Sequence, residues 1–205
     1  MKKIIFLAVA LATIMVGCHE REVKEEKVGT ELKLFLEECL SKVPNAKDNK
    51  YTRQEFEDTI KARMEKMIGD TLRIIHNYPM TISTQIKCNS TQDVDSTVVR
   101  NLNKYLVVFR DRFLWNLDES DKLQNGGFQV ITFLDFESVK SLKDDGIYKI
   151  QGRFKGFADG FRIPGNGGVL TDQPSVSSSD NEIRLTLGTM ILEDVKIEPF
   201  EEDNM

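Results

Sequence analysis

The sequence predicts an α+β protein in which two amphipathic helices precede an antiparallel β domain. Three observations carry this prediction. Between residues 32 and 75, apolar side chains recur at the three-and-four spacing of a helical face. From Met80 onward the pattern changes to short alternating runs rich in Val, Ile, Phe and Thr, separated by turn-forming Gly, Asn and Asp. The composition, 40% hydrophobic and 30% charged, belongs to a chain that buries a core rather than to a disordered one.

The N-terminus comes first. Lys2 and Lys3 form a positive start, and residues 4–16 are an apolar run of about a dozen, short of the roughly 20 needed to span a bilayer. Met15-Val16-Gly17-Cys18 follows, and it resembles the lipobox of bacterial lipoproteins: two apolar residues, a small one, then cysteine. Met at the first of these positions departs from the usual Leu. The resemblance implies that residues 1–17 are a cleaved signal peptide and that Cys18 is lipidated on its thiol and its new amino group. It implies a palmitate-type anchor in the envelope of a Gram-negative bacterium, at the outer membrane on its periplasmic or surface face. Two or more acyl chains make such an anchor stable, since each buried methylene contributes about 0.8 kcal/mol. An uncleaved anchor and an ordinary secretory signal are the competing readings.

Removing residues 1–17 leaves 188 residues (205 − 17), one domain of ordinary size. Losing Lys2 and Lys3 takes the net charge from −5 to about −7. An acidic chain lacks the positive surface that a phosphate backbone demands, so nucleic acid is excluded as the expected partner. Residues 18–29 then read as the lipidated cysteine and a charged, flexible tether.

Residues 30–79 form the helical segment. Leu32, Phe35, Leu36, Cys39, Leu40 and Val43 mark one face of a first helix, with Thr30 as its cap. A second helix is expected to open on a Thr52–Glu55 capping box. Its stripe is Phe56, Ile60, Met64, Met67, Ile68, Thr71 or Leu72, and Ile75, weakened at Gly69 and ended by Tyr78-Pro79.

Residues 80–199 form the β domain, with strands expected at 80–88, 104–115, 128–136, 147–157 and 183–197. The stretch 98–113 also fits a helical stripe, although Val107-Val108-Phe109 favours a strand. Residues 158–182, rich in Gly, Ser, Asp, Asn and Pro, read as a long mobile loop. Within 147–157, Tyr148, Ile150 and Phe154 fall on one face and Lys149, Gln151, Arg153 and Lys155 on the other. Gly152 and Gly156 interrupt this alternation where a small barrel would bend or another backbone approach.

The order of the last strands, with glycines four apart in one and Leu192-Glu193-Asp194 in the next, resembles the C-terminal half of the tRNA-anticodon-binding-like OB domains of small bacterial envelope proteins. The resemblance covers residues 128–198. It implies an OB-like β-barrel carrying the two helices; another antiparallel sheet or a lipocalin-like barrel would use the same alternation. The basic and aromatic residues Arg110, Arg112, Trp115, Arg153, Lys155 and Phe157 are the candidate interaction surface for a protein, peptide or glycan.

Catalytic signals are sparse. The two histidines are His19, in the tether, and His76, at the end of the helical segment, and no nucleophile signature accompanies them. No metal motif or phosphate loop is complete, so no cofactor is expected. Cys39 and Cys88 are read either as a disulfide, which an exported protein allows, or as two buried free thiols. Asp95-Ser96-Thr97 fits an O-glycosylation pattern of some Gram-negative envelope proteins, which marks Ser96. The expected protein is a monomeric, non-enzymatic envelope lipoprotein that binds a partner. The alternatives are an accessory glycan-processing or other hydrolytic enzyme with a hidden carboxylate site, and a structural subunit of a surface assembly.

Overall fold

The computed structural model describes residues 29–88, 101, 103–111, 123–158, 173–179 and 182–201. Cys18, Ser96, Arg112 and Trp115 lie outside the described residues, as do 159–172 and 180–181 of the expected loop.

The first helix, α1 (Thr30–Lys42), buries the expected stripe of Leu32, Phe35, Leu36 and Cys39. The second, α2 (Lys50–Glu65), buries Phe56, Ile60 and Met64. Its cap lies three residues earlier than the sequence suggests. Asn49 accepts from the Tyr51 and Thr52 amides, while the Thr52 hydroxyl accepts from the Asn49 amide. Arg63 ties the helices together. Its guanidinium lies 4.9 Å over the Phe35 ring, pairs with Glu38, and donates to the Cys39 sulfur at 3.6 Å.

The helix does not continue through Leu72 and Ile75 as the apolar stripe suggests. It stops at Glu65, and Gly69 takes a φ of 96° outside the helical region. The chain then runs along β4 (Ile147–Phe157). Gly69 donates to the Phe154 carbonyl at 2.8 Å, Phe154 donates to Asp70 at 2.9 Å, and Leu72 donates to Gly152 at 2.9 Å. Hydrogen bonds to a distant strand thus replace the helical ones. A 3-10 turn, Arg73–Ile75, still buries Ile74 and Ile75, which is why the stripe reads as apolar.

Among the described residues the remaining elements are β1 (Met80–Lys87), β2 (Tyr105–Asp111), β3 (Leu123–Leu134), a short helix α3 (Phe136–Lys140), β5 (Ser175–Ser179) and β6 (Glu182–Pro199). The doubtful stretch near residue 105 is a strand because both neighbours claim it. Phe109 pairs with Ile82 of β1 and Val130 of β3. Among the described residues, α3 and β5 are additions to the expected elements. The second lies in the Ser-rich part of the expected loop and exists because β6 pairs with it from Ser175 to Ser179.

The sheet order is β3-β2-β1-β4-β6-β5, and β3 also pairs with β6, so the order returns to its start. The sheet is barrel-like and antiparallel apart from the parallel β3–β6 ladder. The bends fall at the glycines of β4. Ladder shifts between β4 and β6 sit at Gln151/Arg153 and Phe154/Gly156. A Cβ on Gly152 would lie 2.8 Å from Val195 Cγ1 and 3.0 Å from the Glu193 carbonyl oxygen.

Helix and strand residues share one buried cluster, which includes Leu36, Ile60, Ile75, Phe109, Val130, Phe154 and Leu187. A smaller cluster of Cys88, Leu106, Val108, Ile131 and Ala158 lies on the other face of β2 and β3. The Cys39–Cys88 disulfide is not formed. Both thiols are free and buried, Cys39 in the large cluster and Cys88 in the small one.

Candidate functional site

The expected basic surface divides. Arg153 and Lys155 are exposed on one face of β4 as anticipated, but β6 supplies their counter-charges. Arg153 donates to Asp194 at 2.7 and 3.0 Å and to Glu193 at 3.2 Å, and Lys155 lies 3.4 Å from Glu193. The Asp194 carboxylate beside it holds the Arg153 guanidinium above its ordinary range. Two cations committed in this way make a poor landing place for an anion. Phe157 is half-buried, with its ring edge-on to Phe154 at 5.6 Å, so it packs rather than offers a stacking platform.

Arg110 is exposed but lies elsewhere. Its backbone pairs with Thr81 and Gln129, and Thr81 pairs with Ile147. Arg153 is six positions further along β4, about 20 Å at the rise of a strand. The β2–β3 face that Arg110 shares carries the buried aliphatics Leu106, Val108 and Ile131, not exposed aromatics. The structure therefore joins Arg153 to Lys155 and leaves Arg110 apart.

A different feature has the geometry of a site. The parallel β3–β6 ladder ends at Ile131 opposite Ile191. Beyond it β3 continues alongside β2 and β6 continues alongside β4. Asp194, with φ 52°, lies within the ladder shift against β4, and such irregularities bend a strand away from its line. Between the diverging strands lies a cleft of about 420 Å³, within the usual size of a ligand cleft.

Lys104, Asp135, Ser138, Glu193 and Asp194 give the cleft its polarity. Asp135 caps α3, accepting from the Ser138 amide at 2.7 Å. That hydrogen bond holds its carboxyl below the ordinary range. Sequence reasoning missed these residues. The one available signal was Asp135 three residues before Ser138, a helix-start pattern too short to stand out.

A second cleft, of about 370 Å³, lies between the start of α1, the turn at residues 71–76 and β4. Glu31, Arg73, His76 and Gln151 line it. Among the described residues no group of three or more His, Cys, Asp or Glu side chains is placed to hold a metal ion. No described helix is long and apolar enough to cross a membrane.

No protein-family model matches the chain, and neither does any curated protein or solved structure.

Proposed function

We propose that the protein is a lipid-anchored bacterial envelope lipoprotein whose β domain, an OB-like barrel packed on the two helices, is a non-enzymatic binding module. The anchor rests on Lys2, Lys3, the apolar run and the lipobox ending at Cys18. The barrel reading is supported by the pairing order that returns from β6 to β3, with five strands in the ring and β5 outside it. Its packing on the helices is supported by the shared buried cluster.

The observation that carries the binding reading is the cleft where β3 and β6 diverge. Its carboxylates suit recognition rather than proton transfer. Glu193 and Asp194 accept from Arg153, and Asp135 is a helix cap held in its charged form, the reverse of the tuning a general acid needs. The cleft of Glu31, Arg73 and His76 is what favours the hydrolytic alternative. A structural-subunit role would use the free edge of the sheet. There Glu57 accepts the Val176 amide and Lys61 binds Gln173 at 2.8 Å, which blunts β5 for edge-to-edge assembly.

Labelling cells with an alkyne fatty acid tests the anchor. The wild-type chain should incorporate the label and Cys18→Ser should not; label retained in the variant overturns lipidation at that residue. Binding is tested by thermal shift with peptide and cell-wall glycan ligands, using Ser138→Trp to fill the cleft. A ligand that stabilises both proteins equally does not use this cleft.

A further inference from the structure

We propose that the cleft receives an extended peptide segment, which adds as a strand to the open backbone edges of β3 and β6. The inference rests on the binding-module reading and names its ligand class.

The lining of the cleft is the first argument. It is uninterrupted along both walls, through residues 132–135 on one side and 191–195 on the other. Successive side chains of a strand point to opposite faces, so no single face can supply consecutive residues. The cleft therefore runs along strand edges, and backbone lines it.

The hydrogen-bond ladders are the second. Thr132, Phe133 and Leu134 pair with Val107, Leu106 and Tyr105 of β2 on their other side. Leu192 and Glu193 pair with Phe154 and Arg153 of β4 on theirs. Among the described residues, no backbone hydrogen bond reaches either edge from the cleft. Open edges are templates for a further strand, and strand addition is a recurring mode of peptide recognition. The sheet's outer edge at β5 is already covered by Glu57, so this internal gap is the better template.

Size completes the case. A strand residue fills about 3.3 × 4.8 × 10 Å, roughly 160 Å³. The 420 Å³ cleft then holds about two or three residues. Asp135, Glu193, Asp194 and Lys104 line it, with Glu193 and Asp194 already paired to Arg153 and Lys155. A segment of β-branched residues suits the strand geometry, and lysines on its other face keep it in solution.

The test uses the full chain in detergent micelles and the peptide Lys-Val-Lys-Val-Lys-Val-Lys. A control carries the same side chains with alternate amides N-methylated, which removes donors from one edge. Fluorescence anisotropy should show saturable binding by the first peptide. N-methylation should weaken it at least about tenfold, the equivalent of one or two backbone hydrogen bonds. Hydrogen exchange at residues 132–134 and 192–195 should slow on binding, and Ser138→Trp should abolish both effects. Equal binding of the two peptides, or binding without protection of those amides, overturns strand addition. If the peptide fails while a cell-wall oligosaccharide protects the cleft, strand addition is wrong and the binding-module reading stands. If neither ligand perturbs the cleft, both are wrong.

Discussion

Asp111→Asn should flatten the pH dependence of folding stability between about pH 4 and pH 7. Asp111 ends β2 on the same face as Val107 and Phe109, which are fully buried. One carboxylate oxygen accepts from the Phe128 amide at 3.3 Å, and the other is buried without a hydrogen-bond partner among the described residues. Burial pushes the carboxyl from 3.8 up to about 6, against the smaller pull of the Phe128 amide and the Arg110 charge. At about 1.4 kcal/mol per pH unit, this rise corresponds to about 3 kcal/mol. The sign follows from proton affinity. The folded protein holds this proton more tightly than the unfolded chain does. The associated stability is fully present below the unfolded value of 3.8 and is lost as pH rises through about 6.

Asn keeps an acceptor for the Phe128 amide and never ionises. Urea unfolding of both proteins across this pH range isolates the effect, because any constant cost of the substitution cancels in the difference between pH values. The stability gap between variant and wild type should shift in favour of Asn by about 3 kcal/mol from acid to neutral pH. With a urea dependence of about 2 kcal/mol per molar, the midpoints separate by about 1.5 M. Parallel pH profiles for the two proteins would refute the assignment of a buried, destabilising carboxylate.

Three further outcomes are expected. Phe56→Ala should cost about 3–5 kcal/mol in chemical denaturation because Phe56 is almost wholly buried, whereas Tyr51→Ala, earlier in the same helix and 86% exposed, should change stability by less than about 0.5 kcal/mol. Gly152→Ala should cost about 1–3 kcal/mol through overpacking against Val195 and the Glu193 carbonyl, read as a lowered melting temperature without change in circular dichroism. Cys39 and Cys88 should react slowly with a thiol reagent in the native protein and fast in urea, since burial raises both thiols above their ordinary range. Absence of both reactive thiols from the unfolded, unreduced chain would reinstate the disulfide.

The elements were legible to different degrees. β4 occupies 147–157, the range its alternation suggests, because one face meets the core and the other meets water. α1 and the first part of α2 were equally plain, since their buried residues are the ones their spacing selects. The end of α2 departs from the sequence pattern because Leu72 and Ile75 are buried at helical spacing without belonging to the α-helix. β5 was hidden because Ser175, Ser177, Ser178 and Ser179 have the composition of a loop, and only its pairing with β6 makes it a strand. The candidate surface fared worse than the fold. The charges of Arg153 and Lys155 were visible in the sequence, but the partners that neutralise them lie about 40 residues away.

By itself the sequence determined the class and the faces: helices and then strands, with Leu36, Ile60, Ile150 and Phe154 inward and Arg153 and Lys155 outward. Those properties follow from the periodicity of the backbone, which is local. The tertiary structure alone decided that Phe128 meets Gly188, that β3 and β6 part after Ile131 and Ile191, and that Asp135 and Glu193 come to face one cleft. Such pairings depend on which distant edges satisfy each other's hydrogen bonds, and no short run of residues records that choice.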